Sequence, residues 1–411
     1  MESTYFRKGF GLKGAIEGQL TADYHSGVVD ALRAGDYTLR VGPLTFRLAR
    51  EFGFCYGVDR AVDYAYETRA KFPERRIFLV GEIIHNPHVN RKLREMGIAF
   101  LERGPESEFD FSAITAEDVV IMPAFGVTMR DFQRLREIGC ILVDTTCGSV
   151  LNVWKRVENY ARDGYTAIIH GKWWHEETRA TASQVEKHPG GRYLVVFDMA
   201  EAREVMDFIE AGEAAAADEA RVAALEARFA KQVSPGFDFR RDLARVGIAN
   251  QTTMLSGESL AIAAEFGRSM ARRWGEAELA AHFRSFDTIC SATQERQDAI
   301  HKLLEEPLDL MVIVGGYNSS NTTHLAALVR ERGVRGYHIE DADCIAPEAG
   351  TVRHQPAGTK HETSEGAWLD ATRVVGITAG ASTPNNKIGE TVARICRTLG
   401  LGEELNAAIA S

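Results

Sequence analysis

The chain has 411 residues, more than one ordinary core holds, and suits two or three domains of about 100–200 residues each. Its 45% hydrophobic and 26% charged residues are those of a globular protein, and without any run of about 18 apolar residues it is not expected to span a membrane. A formal charge of −10 with dispersed basic residues argues against a nucleic-acid partner, although a small acidic ligand responds only to local charge.

The opening "MESTYFRKGFGLKG" has neither the apolar core of a secretory signal nor the Arg/Ser richness of a transit peptide, so a cytoplasmic protein is expected. Residues 1–43 carry little periodic apolar content and read as an extension laid over the body. After them, apolar β-branched runs at 76–84, 118–127, 140–147, 166–172, 192–198, 308–316 and 373–382 alternate with helical patterns. Short continuous apolar runs between helices predict parallel strands covered on both faces, hence several small α/β sheets. Residues 200–232, rich in Ala and Glu, predict a helical insertion with a solvated face.

Three kinds of polar motif follow these runs. The stretch "GGYNSSNTTHL" places Asn318–Thr323 between a strand and a helix, where free amide groups and the positive end of the helix dipole favour an anion. "GITAGASTP" repeats the design, with Ser382 and Thr383 at the turn and Pro384 suited to the first helical turn. Ordinary N-capping needs only one such residue, and a cluster of six favours a ligand. Cys55, Cys147 and Cys290 each end a strand-like run ahead of a helical pattern, whereas Cys140, Cys344 and Cys396 read as buried thiols. Six cysteines without close pairing argue against a disulfide framework. Three thiols at strand ends suit an iron–sulfur cluster with one open iron, or a zinc completed by His. "EIIHNP" with His85, "HGKWWHEET" with His175 and Glu177, and "NQTTM" add groups that neutralise phosphate, ligate a metal or deliver a proton. The second His of an H-E-x-x-H zinc helix is missing.

Taken in order, "FGFCYGVDRAV", "EIIHNP", "DTTC", "HGK" with "HEET", "ANQTTM", "TICSATQERQDA", "GGYNSSNTTHL" and "GITAGASTP" resemble the 4-hydroxy-3-methylbut-2-enyl diphosphate reductases, over about residues 44–400. The longer form found in plants and cyanobacteria is the nearer match. The resemblance implies three small α/β domains in a pseudo-threefold trefoil around a [4Fe-4S] cluster. Residues 44–147, 148–284 and 285–411 would be those domains, with the helical insertion near 200–240 in the second. It implies Cys55, Cys147 and Cys290 as cluster ligands, and His85, His175, Ser319, Ser320, Asn321 and Ser382 as diphosphate contacts. Glu177 is implied as the proton-delivering carboxylate and Thr252 as the hydroxyl that organises it. The implied reaction is the reductive dehydroxylation that yields isopentenyl and dimethylallyl diphosphate at the end of the methylerythritol phosphate route. A small ferredoxin or flavodoxin is the implied electron donor.

Two positions depart from the short form: Phe125 stands where it has a histidine, and Gly148-Ser149 follows the second ligand where Pro is usual. Two other classes stay open at this level, a non-redox hydro-lyase and a cluster-bearing sensor.

Overall fold

A strand covered on both faces leaves few positions for a polar side chain, and its apolar run stops where the cover stops. In the computed structural model, which describes residues 4–104, 108–286 and 288–410, the strands Val119–Met122, Thr166–His170 and Leu310–Val314 are buried at every position. The predicted runs are trimmed at their C-terminal ends: 140–147 holds the strand Ile141–Asp144 and 373–382 holds Val374–Ala379. The trimmed residues are the polar motifs, so each functional loop begins where pairing ends.

The chain forms two compact units. One comprises Phe78–Gly81 and Leu101–Cys290 with the N-terminal residues through Arg7. In its first sheet Tyr5–Phe6, Ile141–Asp144 and Val119–Met122 are successive parallel neighbours. Its second sheet runs Phe283–Ser285, Val246–Asn250, Thr166–His170, Tyr193–Val196, all parallel. The Ala/Glu-rich segment is helical, as Met199–Ala211, Glu213–Ala217 and Glu219–Phe229, and the side chains of Asp198 and Asp218 cap the first and last of these.

The segment has the expected solvated face, at Arg203, Glu204, Asp207 and Glu210, but its opposite face is buried. Val205, Phe208, Ile209, Val222, Leu225 and Phe229 join Ile168, Leu194 and Ile248 in one core. Their spacing is helical, but surrounding Ala and Glu dilute the apolar signal in composition.

The other unit comprises Lys8–Ile77, Glu82–Phe100 and residues from Ser291 onward. Its main sheet has the order Gly336–Ile339, Leu310–Val314, Val374–Ala379, Leu44–Leu48, Thr38–Val41, parallel except for the last pair. A small antiparallel sheet of Ile345–Ala346, Thr351–His354 and Thr363–Gly366 was not foreseen. The expected break at 43/44 falls inside the hairpin of Thr38–Val41 and Leu44–Leu48. Residues ahead of it are structured too, as the helices Lys13–Tyr24 and Gly27–Ala34, and Val29, Leu32, Leu39 and Val41 lie in this unit's core. The first helix buries only Ile16 and Tyr24, which explains its faint periodicity. Segment 44–147 is divided between the two units. Among the described residues no helix is long and apolar enough to cross a membrane.

Candidate active site

In the second unit the loops after Leu310–Val314 and Val374–Ala379 meet. Ser319 caps the helix Ser320–Glu331, its Oγ accepting from the Thr322 amide at 3.4 Å and from the Thr322 hydroxyl at 3.0 Å. Asn321 reaches across, its Oδ1 accepting the Ala381 amide at 2.9 Å. The Ser382 hydroxyl donates to the His85 carbonyl at 3.1 Å, and the Asn318 amide nitrogen lies 3.4 Å from His85 Nδ1. His85 Nδ1 is also 2.9 Å from a Glu82 carboxylate oxygen. Small residues permit this approach: a Cβ on Gly380 would sit 1.9 Å from Thr322 Oγ1, and one on Gly316 2.8 Å from the His85 carbonyl oxygen.

His85, Ser319, Ser320, Asn321 and Ser382 are all buried here, and Ser382 is bonded directly to His85. The Asn321 Nδ2 is buried without a hydrogen-bond partner, in a residue only 2% exposed. An unanswered amide donor at a helix N-terminus costs about 1–3 kcal/mol and suits an anionic acceptor. Thr383 has a structural task, donating to the Val314 carbonyl at 3.0 Å. Pro384 is the residue before the helix Asn385–Thr398, one place earlier than expected.

Cys55 belongs to this unit. Its amide donates to Ala381 at 3.2 Å, and the helix Tyr56–Lys71 starts at the next residue. The turn depends on Gly53, whose φ is +67° and where a Cβ would lie 3.0 Å from the Thr383 carbonyl oxygen, which excludes most side chains.

Cys147 and Cys290 belong to the first unit. Cys147 precedes the helix Gly148–Arg162, so Gly148-Ser149 supports a helix start as Pro would. Its amide donates to Ala124 at 2.9 Å, and Thr145 ties back to Met122 through both amide and hydroxyl. Burial raises the Cys147 thiol above its ordinary value, the Ser149 amide opposes this, and the nearby Cys290 raises it further. Before Cys290, Thr288 accepts the Asn250 amide at 3.2 Å and donates to the Asn250 side chain, pinning the loop to the end of Val246–Asn250.

The donor set fits an iron–sulfur cluster. These three thiols are partly exposed, whereas Cys140, Cys344 and Cys396 are buried, and burial pushes Cys140 up to about 11 and Cys396 up to about 12. Helix N-termini next to Cys55 and Cys147 offset part of what burial costs a thiolate, and a close Cys pair of the kind zinc uses is absent from the sequence.

The acid of the first unit is Glu177, in the first turn of the helix Glu176–Ala182 and only 3% exposed. His175 caps that helix, its Nδ1 accepting the Glu177 amide at 3.1 Å. Glu177 Oε1 accepts the backbone amide of Thr252 at 2.6 Å, so the contact expected of the Thr252 hydroxyl runs here through its main chain. Phe125 stands edge-on to His175, with ring centres 6.0 Å apart.

Gln251, inside the "NQTTM" motif, carries no sequence signal for the task it performs. Its Oε1 accepts the Lys172 amide at 3.0 Å and the Thr178 hydroxyl at 3.1 Å, and its Nε2 donates to Thr253 at 2.8 Å. It thereby locks the turn after Thr166–His170, the Glu177 helix and the Thr252 loop together. Gly171 allows this, since a Cβ there would lie 2.8 Å from the Thr178 hydroxyl. Burial also lowers the Lys172 ammonium to about 8, a feature with no signal in the sequence. His170, fully buried and 2.8 Å from the Ser259 hydroxyl, is a structural residue held neutral by burial at about 4.

The family described as LytB protein matches residues 46–396. The chain is 51% identical to the 4-hydroxy-3-methylbut-2-enyl diphosphate reductase of Gloeobacter violaceus, over 97% of this chain and 94% of that one. It is 48% identical to the enzyme of the same name from Thermosynechococcus vestitus, over 95% of this chain and 94% of that one. In fold it is similar to the solved E-1-hydroxy-2-methyl-but-2-enyl-4-diphosphate reductase from Plasmodium falciparum. That likeness has a TM-score of 0.61 and 20% identity, over 85% of this chain and 87% of that chain.

Proposed function

We propose how the residues above serve one reaction, from the premise that this chain belongs to the LytB protein family. The protein is an oxidoreductase that converts 4-hydroxy-3-methylbut-2-enyl diphosphate to isopentenyl and dimethylallyl diphosphate. The family is one of iron–sulfur enzymes. Two electrons and two protons enter, the C–O bond to the hydroxyl breaks, and water leaves.

The group at Cys55, Cys147 and Cys290 is a [4Fe-4S] cluster, which supplies the electrons and a Lewis-acidic iron when bound. Its electrons come from a ferredoxin or a flavodoxin.

The diphosphate is taken by the N-terminus of the helix Ser320–Glu331 with Ser319, Ser320, Asn321, Ser382 and His85, and by His175. The observation that carries this reading is the buried Asn321 Nδ2 beside the Ser319 cap. Ser382 spends its proton on the His85 carbonyl, so its hydroxyl must rotate to donate to a phosphate oxygen. Glu177, shielded from water and oriented by the Thr252 amide at Oε1, is the carboxyl that carries a proton to the allylic fragment.

The test is anaerobic turnover of the cluster-reconstituted chain with 4-hydroxy-3-methylbut-2-enyl diphosphate, following oxidation of a reduced viologen and identifying the products. Substrate-dependent oxidation giving both five-carbon diphosphates is expected. Consumption of substrate without reductant would make the protein a hydro-lyase instead. No reaction with iron and sulfide bound would favour a sensor.

A further inference from the structure

The N-terminal strand touches the turn that carries Cys147, and does so through one carboxylate. Tyr5–Phe6 lies parallel beside Ile141–Asp144, and the Leu142 amide donates to the Thr4 carbonyl at 2.7 Å. This register brings two side chains to Asp144. The Tyr5 phenol donates to Asp144 Oδ2 at 2.6 Å, and Arg7 Nε lies 3.4 Å from the same oxygen. The other oxygen, Oδ1, faces forward along the chain, accepting the Thr146 amide at 3.0 Å and the Thr146 hydroxyl. Thr146 is bonded directly to Cys147.

Resting on the assignment of Cys147 as a cluster ligand, we propose that residues 4–7 are a strap that fixes the Asp144–Cys147 turn, with Tyr5 and Arg7 as positioning residues acting through Asp144. Asp144 is 5% exposed, and a carboxylate that dry is stable only if its oxygens are answered by donors or cations. Thr146 answers one oxygen and the strap the other. The strap also forms one wall of a cavity of about 330 Å³ whose lining includes Asp144, Thr146 and Trp154. Without the Tyr5 and Arg7 side chains, water in that cavity competes for Oδ2, the carboxylate turns toward it, and Thr146 loses its anchor. Burial and the Asp144 carboxylate hold the Tyr5 phenol well above its ordinary value, so it stays a donor across the working range of pH. The ordinary alternative is that Tyr5 only packs the N-terminus, its ring lying edge-on to Phe132 at 5.7 Å.

The experiment uses the full chain, reconstituted anaerobically with iron and sulfide. Tyr5→Phe keeps the ring contact with Phe132 and removes only the hydroxyl, and Arg7→Gln removes the cation. The readouts are the rate of iron release to a ferrous chelator, the paramagnetic resonance spectrum of the dithionite-reduced cluster, and the urea midpoint of the cluster-free chain. Each variant is expected to lose iron about 10–100-fold faster, as when the outer partner of a metal ligand is removed, with an altered spectrum and only a modest fall in the urea midpoint. Because the effect passes through Asp144, adding Tyr5→Phe to Asp144→Asn should change nothing further. If Asp144→Asn holds no iron, the same comparison on Thr146→Val decides. Unchanged iron release, or effects that multiply in the double variant, would overturn the strap. Full iron retention with an unaltered spectrum in Cys147→Ser would instead show that the ligand assignment is wrong, whatever Tyr5 does.

Discussion

The loops that follow Leu310–Val314 and Val374–Ala379 gather hydroxyls and an unanswered amide donor, which we propose take an anion, whereas those that follow Thr166–His170 and Val246–Asn250 enclose a carboxylate of the protein's own. In the first arrangement the cap is local, with Ser319 at the start of its own helix and Asn321 two residues on, while Asn321 and Ser382 reach across to Ala381 and His85. The second arrangement is not local, because the donor that holds Glu177 comes from Thr252, 75 residues away. A permanent diphosphate charge needs many neutral donors, which helix starts supply cheaply. A proton carrier needs a dry pocket with one oxygen held, and that takes several segments brought together.

If that contrast is right, the two regions fail differently. Glu177→Gln should show the largest effect, a fall in turnover of about 10²–10⁴-fold with KM little changed and iron content normal, measured by viologen oxidation and iron analysis. A variant with more than a tenth of the parent activity would remove Glu177 from proton delivery. Asn321→Ala should act mainly on binding, raising KM by about tenfold or more, since a hydrogen bond to a charged group is worth about 1.5–3 kcal/mol. A fall in kcat alone would mean that Asn321 serves the chemistry rather than the diphosphate.

Gly380→Ala tests the closeness of the two anion-binding turns, because the new Cβ meets Thr322 Oγ1. Overpacking of this kind costs about 1–3 kcal/mol, to be read from the urea midpoint, and a neutral result would show that the turns yield easily. The smallest effect is one in which the units should agree. His170 in one and His338 in the other are both lowered to about 4 by burial. Each binds its proton more tightly when unfolded, so stability is flat above about pH 6.5 and falls as pH drops toward 4, by at most about 1.4 kcal/mol per pH unit per group. Urea midpoints between pH 7 and 4 measure this, and His338→Gln should reduce the slope. An unchanged slope would count against His338 titrating as a buried neutral group.

Legibility followed the range of the interactions involved. The central strands were visible because each is a continuous apolar run, and Cys55, Cys147 and Cys290 because each sits between such a run and a helix. The extension and the Ala/Glu-rich segment were misjudged for the opposite reason. Val29, Leu32, Leu39 and Val41 are too few to dominate their neighbourhood in composition, yet they complete the core of the second unit. Gln251 was seen as a polar residue in a motif, but its bonds to residues 172 and 178 are invisible until the strands are paired.

By itself, the sequence determined the α/β class, the three cysteines that stand at helix starts, the polar turns at strand ends and the family, because each is written in consecutive residues or their order. Tertiary structure alone decided that Thr252 meets Glu177 with its main chain, that Ser382 spends its proton on His85, and that Tyr5 and Arg7 converge on Asp144. Those contacts join residues far apart in the chain, and their geometry is set by strand register and packing rather than by any local pattern.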